Sequence, residues 1–309
     1  MTLGSRRVTG AATAVSDLPE HAQFAYARPT SLDEAVALLT DTPSARPLLG
    51  GTDLIVGLRK GKLRPPLVVD LKSVPELAPG ITERDGALRI GAGTVMTQIV
   101  SDARVQRWFP ALVQSALTVG SIQIRNRATL AGNLCNASPA ADTAPPLLVY
   151  DARLEVAGPK GARRVPLDDL FAGPGQTTLG PGELVASVEL PLPTEPVGSA
   201  FGRLTRRRGV DLAIINLACS VTRGGVVRFA YGAAGPRPFL VADETGILAD
   251  TPADADDRER ALRELTARAA PISNVRASRE YREAMLVVLS RRALDRARAR
   301  LAEADGRAG

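Results

Sequence analysis

The chain has 309 residues, 45% of them apolar, 23% charged and only 4% aromatic, with a formal net charge of +6. That length calls for two or three packed units, and that composition is globular rather than disordered. No apolar run approaches the roughly 20 residues of a membrane-spanning helix, and the opening residues lack the apolar stretch of a cleaved signal, so no membrane span and a cytoplasmic location are expected.

Residues 1–22 fit no element and are expected to form a mobile N-terminal extension. From Phe24, FAYARPTSLDEAVALL reads as a short strand, Pro29, and an amphipathic helix opened by Ser31 and Glu34 as a capping box. ARPLLGGTDLIVGLRKGKLRPPLVVDL then reads strand, double glycine, helix, strand, with the glycines at the strand-to-helix corner. ALRIGAG supplies another strand, and VMTQIVSDARVQRWF a single helix ending before Pro110. The next stretch, ALVQSALTVGSIQIRNRATLAGNLCNASPAADTAPPLLVYDARLEV, opens as a helix and returns to strand after a long run of small and amide residues. Such residues make poor core and suit backbone that runs close to something else. Beyond VELPLP, FGRLTRRRGVDL reads as helix or turn, followed by antiparallel strands with a hairpin tip at Arg223-Gly224-Gly225. Ala/Arg/Leu/Glu helices complete the chain, and residues 258–309 carry 13 Arg against seven acidic residues, which accounts for the whole positive excess. With no interleaved aromatics and no base-reading motif, this is expected to be a solvated basic helix face rather than a nucleic-acid site.

The chemistry is bounded by what is scarce. One histidine, His21, and two distant cysteines, Cys135 and Cys219, exclude Ser-His-Asp and Cys-His catalysis and clustered zinc or iron–sulfur ligands. Redox chemistry would therefore have to come from a bound organic cofactor. Gly91-Ala-Gly93 lacks the third glycine of the dinucleotide fingerprint, and no Ser or Thr follows Lys62 to complete a P-loop. Gly50-Gly51-Thr52-Asp53 has a mate in Thr129-Leu130-Ala131-Gly132-Asn133. Each loop presents successive backbone N–H groups beside a threonine hydroxyl, a nest for pyrophosphate. Each alone reads more readily as an ordinary turn; two of like design weigh toward a shared ligand. Asp142 either caps a turn or accepts hydrogen bonds from a polar ligand. Cys135, Cys219 and Trp108 read as packing residues.

Four segments, in order, carry a resemblance: LLGGTDLIV, GSIQIRNRATLAGNLCNASPAADTAPPLL, RRRGVDLAIINLA and VRASREYREAM. Together they resemble the FAD-binding (medium) subunit of the molybdenum hydroxylases, the group of the carbon monoxide, xanthine and aldehyde dehydrogenases, over nearly the whole chain. The resemblance implies an α+β fold. It would comprise a vanillyl-alcohol-oxidase (PCMH) type FAD-binding fold of two subdomains, 23–85 and 86–197, and a C-terminal domain, 198–309, of antiparallel strands and helices. It also implies FAD with its pyrophosphate held by Leu48, Leu49, Gly50, Gly51, Thr52, Asp53, Leu54 and Ile55 and by Thr129, Leu130, Ala131, Gly132 and Asn133. Ser138 and Asp142 match a Ser-Pro-x-x-Asp element, with Asp142 toward the flavin; Val119, Gly120, Ser121 and the 122–124 stretch, with Ile124, would lie near the ring, and Leu184 and Val185 would form an apolar wall. Arg203 stands where the family commonly has lysine and is carried over as a further candidate cofactor-binding residue. Arg207, Arg208 and Asp211 match the family and equally suit an internal salt bridge.

The activity so implied is an electron-transfer flavoprotein subunit with no catalytic side chain of its own. Its partners would be a large molybdenum-cofactor subunit and a small subunit with two [2Fe–2S] clusters, in an (αβγ)2 assembly that passes electrons through FAD to a small-molecule acceptor. The rival expectations are a stand-alone FAD-dependent oxidoreductase and a scaffold subunit that has lost FAD.

Overall fold

The computed structural model describes residues 24–249 and 253–306; His21 and the N-terminal extension lie outside them. The chain opens with three short strands, β1 (Ala25–Ala27), β2 (Arg46–Leu48) and β3 (Leu67–Asp70), in a parallel sheet of order β1-β3-β2. Helix α1 (Leu32–Asp41) joins β1 to β2 and begins at Ser31, whose hydroxyl accepts from the Glu34 N–H at 3.3 Å. The return bond of the box goes to the Thr30 N–H (2.9 Å), one residue earlier than the pattern predicts. Helix α2 (Leu54–Arg59) joins β2 to β3, so the double glycine does sit at the strand-to-helix corner.

A five-stranded antiparallel sheet follows, of order β4-β5-β10-β6-β7, from Ile81–Arg84, Ala87–Gly91, Leu184–Pro191, Arg153–Gly158 and Gly161–Pro166. Asp85 and Gly86, with φ of 53° and 72°, supply the left-handed pair that a tight β4–β5 turn requires. Gly91 and Gly93 are packing glycines: a Cβ on either would stand 2.3 Å and 2.7 Å from the carbonyl oxygens of Ala78 and Leu77. A small β8–β9 ribbon (Phe171–Gly173, Gln176–Thr177) lies between β7 and β10.

Between β5 and β6 the chain makes six short helices: α3 (Met96–Ser101), α4 (Ala103–Trp108), α5 (Pro110–Thr118), α6 (Ile122–Arg125), α7 (Leu130–Cys135) and α8 (Ala144–Val149). Two expectations are corrected here. The single helix over VMTQIVSDARVQRWF is broken at Asp102, whose carboxylate accepts from the N–H groups of Arg104 and Val105 and starts α4 anew. The small-residue stretch after it is largely helical, and Ala128, Ala131, Ala137, Ala141 and Ala144 are core, in one apolar cluster with Leu130, Leu154, Leu184 and Val188. Small side chains suffice there because the short helices lie close to one another and to β10.

The last part is a four-stranded antiparallel sheet, β11 (Val197–Leu204), β12 (Ile215–Thr222), β13 (Val227–Gly232) and β14 (Phe239–Ala242), covered by α9 (Ala255–Thr266) and α10 (Arg279–Gly306). FGRL is thus strand, not helix or turn, whereas the hairpin at Arg223–Gly225 is as predicted. The basic helix is not simply a solvated face. Arg296 and Arg300 donate to the carbonyls of Phe201 (3.1 Å) and Ser199 (2.6 Å), and Arg298 to that of Leu248, so guanidinium groups stitch α10 to strand and loop backbone. Among the described residues no helix is long and apolar enough to cross a membrane, and no three potential ligands cluster as a metal site.

Candidate flavin-binding site

The first glycine loop leaves the C-terminal end of β2 and enters α2. Gly51 has φ +73°, a left-handed conformation that reverses the chain in one residue, and its carbonyl accepts from the Ile55 N–H at 3.0 Å. The N–H groups of Gly50, Gly51, Thr52 and Asp53 reach no acceptor among the described residues. Such an unpaired row beside a helix start is the donor set an anion needs.

The second loop is held by its neighbours. Ala128 accepts from the Met96 N–H (2.9 Å), and the Leu130 N–H donates to Thr94 (3.2 Å), which pins the segment beside β5. Thr129 caps α7, its hydroxyl accepting from Gly132 N–H at 3.1 Å, so that oxygen is committed while its proton remains available. The Ala131 N–H reaches no acceptor among the described residues, and Asn133 Oδ1 accepts from the Thr143 hydroxyl at 2.6 Å. Gly50 joins the two loops: a Cβ there would stand 2.2 Å from the Arg127 carbonyl oxygen and 3.1 Å from Ala128 Cα. Beside them, Ser121 caps α6 (3.4 Å to Ile124 N–H), Gly120 is left-handed (φ +51°), and Val119 and Gly120 accept from Arg125. Ile55, Ile122 and Ile124 are exposed, an uncovered apolar rim around the loops.

Asp142 ties this region to the C-terminal sheet. It is 7% exposed; Arg203 on β11 brings Nε to 3.2 Å from Oδ1, and Asn216 on β12 donates Nδ2 to the same oxygen at 2.7 Å. Burial pushes the Asp142 carboxyl up, against the opposing pull of Arg203, Asn216 and Thr118. Local desolvation also pushes up the carboxyl of Asp53, at the start of α2. Arg203 donates further to the Asp211 carbonyl. The salt bridge in this loop runs from Arg206 to Asp211 (3.7 Å), not from Arg207 or Arg208; Arg207 instead closes onto the Val210 carbonyl.

Of the remaining predicted residues, Ser138 forms a local turn with Ala140 and Ala141. Leu184 and Val185, both 4% exposed, lie in the core with Leu130 and Ala131. Cys135 is half-buried as a residue, but desolvation of its sulfur pushes the thiol up to about 12, and Cys219 is fully buried in β12. Both are filler, not redox thiols. Sequence reasoning missed Thr118, Thr143 and Asn216. Asn216 left a trace, as a lone amide inside the apolar run IINLACSV.

Residues 22–193 match the family model "FAD binding domain in molybdopterin dehydrogenase", and residues 200–297 match "CO dehydrogenase flavoprotein C-terminal domain". The chain is 35% identical over 277 residues to the xanthine dehydrogenase FAD-binding subunit of Escherichia coli O157:H7, covering 88% of this chain and 95% of the relative. It is 34% identical over 282 residues to the carbon monoxide dehydrogenase medium chain of Afipia carboxidovorans, covering 90% and 97%. The solved structure of reconstituted CO dehydrogenase from Oligotropha carboxidovorans superposes with a TM-score of 0.84 at 32% identity, over 90% of this chain and 98% of that one. The chain therefore belongs to the FAD-binding (medium) subunits of the molybdenum hydroxylase family, oxidoreductase flavoproteins of the xanthine and carbon monoxide dehydrogenase type.

Proposed function

We propose that this chain is the flavin-bearing, electron-exit subunit of a molybdenum hydroxylase complex. When bound, FAD supplies one- and two-electron redox chemistry, which here would link the [2Fe–2S] clusters of a small partner to an external acceptor, with the molybdenum cofactor on a large partner and an (αβγ)2 assembly. The observation that carries this reading is the meeting of the two glycine loops at Gly50 and Arg127, with unpaired N–H groups on both.

The residues fit that cofactor. N–H groups of Gly50 to Asp53 and of Ala131 would hold the pyrophosphate oxygens, with the Thr129 and Thr52 hydroxyls as further donors. Leu48, Leu49, Leu54, Ile55, Gly132 and Asn133 shape the two loops around them. Val119, Gly120, Ser121 and Ile124 would border the flavin ring. Asp142 would accept from a ring N–H, held in place by Arg203, whose donors face Asp142 and Asp211 rather than the ring. Leu184 and Val185 would contribute an apolar wall, packed with Leu130 and Ala131 of α7. The proposed subdomain boundaries near 85 and 198 fall at the β4–β5 turn and one residue into β11.

The test is Gly51→Trp, which places a bulky side chain at a left-handed position in the nest. The variant is expected to fold and associate with its partners but to lack FAD; stoichiometric FAD in the variant would overturn the loop assignment.

A further inference from the structure

Resting on the reading of Asp142 as a flavin contact, we propose that Asn216 is a positioning residue for that carboxylate, through which the C-terminal sheet completes the flavin site. Asn216 is 0% exposed in β12 and lies 74 positions from Asp142. Its Nδ2 donates to Asp142 Oδ1 at 2.7 Å and lies 3.4 Å from the Ala140 carbonyl. These two acceptors fix the amide's orientation, because a flipped amide would set its oxygen against both. With Arg203 Nε also at Oδ1, two groups of the C-terminal sheet converge on one carboxylate oxygen.

The other end of the amide adds nothing to stability. Asn216 Oδ1 is buried with no hydrogen-bond partner, a desolvated acceptor that an apolar side chain of similar shape would eliminate. The space for that oxygen is kept by Gly232 on the adjoining strand β13, where a Cβ would stand 2.0 Å from it. A fully buried amide with one end orphaned and the other on Asp142 is explained by what it does to Asp142: it occupies Oδ1 and holds the carboxylate's orientation.

The experiment is a double-mutant cycle on FAD affinity, measured by titrating the full-length chain with FAD, alongside thermal stability and the flavin midpoint potential. Asn216→Leu is expected to change the melting temperature little, because loss of the donor to Asp142 offsets removal of the orphaned oxygen, to weaken FAD binding at least tenfold, and to move the potential in the same direction as Asp142→Ala. In the Asp142→Ala background, Asn216→Leu should add nothing further. If Asp142→Ala changes affinity and potential but Asn216→Leu changes neither, the role of Asn216 is overturned while the Asp142 reading stands. If Asp142→Ala changes neither, the Asp142 reading fails first. Should Asn216→Leu fail to fold, Gly232→Ala, which displaces Asn216 from the opposite side, carries the same prediction, and wild-type FAD affinity in that variant would overturn it.

Discussion

Gly50 lies so close to Arg127 that a side chain on it would strike the arginine's carbonyl oxygen, 2.2 Å from the position a Cβ would take. Seventy-seven positions apart in sequence, these residues bring the β2–α2 corner against the segment that starts α7.

Replacing Gly50 with Ala should therefore act on both loops at once. The neighbour is backbone and has no rotamer by which to retreat, so the loops must separate. The expected cost is about 1–3 kcal/mol of stability, with FAD affinity lower by at least tenfold. Thermal unfolding and FAD titration of the variant check the two effects independently.

A second close approach predicts how the C-terminal helix is seated. A Cβ on Gly198 in β11 would stand 1.9 Å from the Ala297 carbonyl and 2.5 Å from the Leu301 amide nitrogen of α10. Gly198→Ala should unseat the helix and destabilise the chain by roughly 2–3 kcal/mol. Hydrogen exchange should rise first in α10 and β11, leaving the β4–β7 sheet protected.

The strand, loop and helix order around the first nest was legible because its signals are local: Ser31 and Glu34 for α1, and Gly50 and Gly51 for the corner. The two glycine loops were legible as a repeated design. What escaped was long-range. Nothing near Asn216 indicates that it faces Asp142, since the pairing depends on how the β11–β14 sheet packs on the α8 region. The break at Asp102 was missed because apolar periodicity runs on through a residue whose carboxylate caps a new helix. The fate of the C-terminal arginines was hidden for the same reason as Asn216: their acceptors are backbone carbonyls, which leave no mark in composition.

Arg282 predicts the consequence of one such pairing. It is 3% exposed and donates to the Ile214 carbonyl and to Asn274 Oδ1 (2.9 Å), with the Ala233 carbonyl at 3.4 Å. Arg282→Met removes these donors and leaves the buried Ile214 carbonyl unmatched, a loss of about 1–3 kcal/mol. Denaturant unfolding should show a lower midpoint.

Acid sensitivity should come in part from Glu183. The Arg163 guanidinium grips both its oxygens (2.7 and 2.8 Å), and this, with the Gly180 N–H at 2.8 Å, outweighs burial and holds the carboxyl down to about 2. An acid with its folded pKa below the unfolded value of about 4.3 stabilises fully above that value, and the contribution fades as pH falls toward 2. Because the Arg163 side chain is 45% exposed, solvent screening limits the effect to about 1 kcal/mol. Glu183→Gln should be less stable than wild type at pH 7, with the gap narrowing below about pH 4 and closing only as pH falls through about 2, in thermal unfolding across that range.

The central claim is that the paired loops hold FAD. The most direct measurement is to purify the full-length chain, supply FAD, remove the excess, denature, and quantify the released nucleotide by chromatography with mass spectrometry. The account predicts close to one FAD per chain in the wild type and none in Gly51→Trp. A folded wild-type chain that releases no FAD, with its partner subunits present as well as without them, would contradict it.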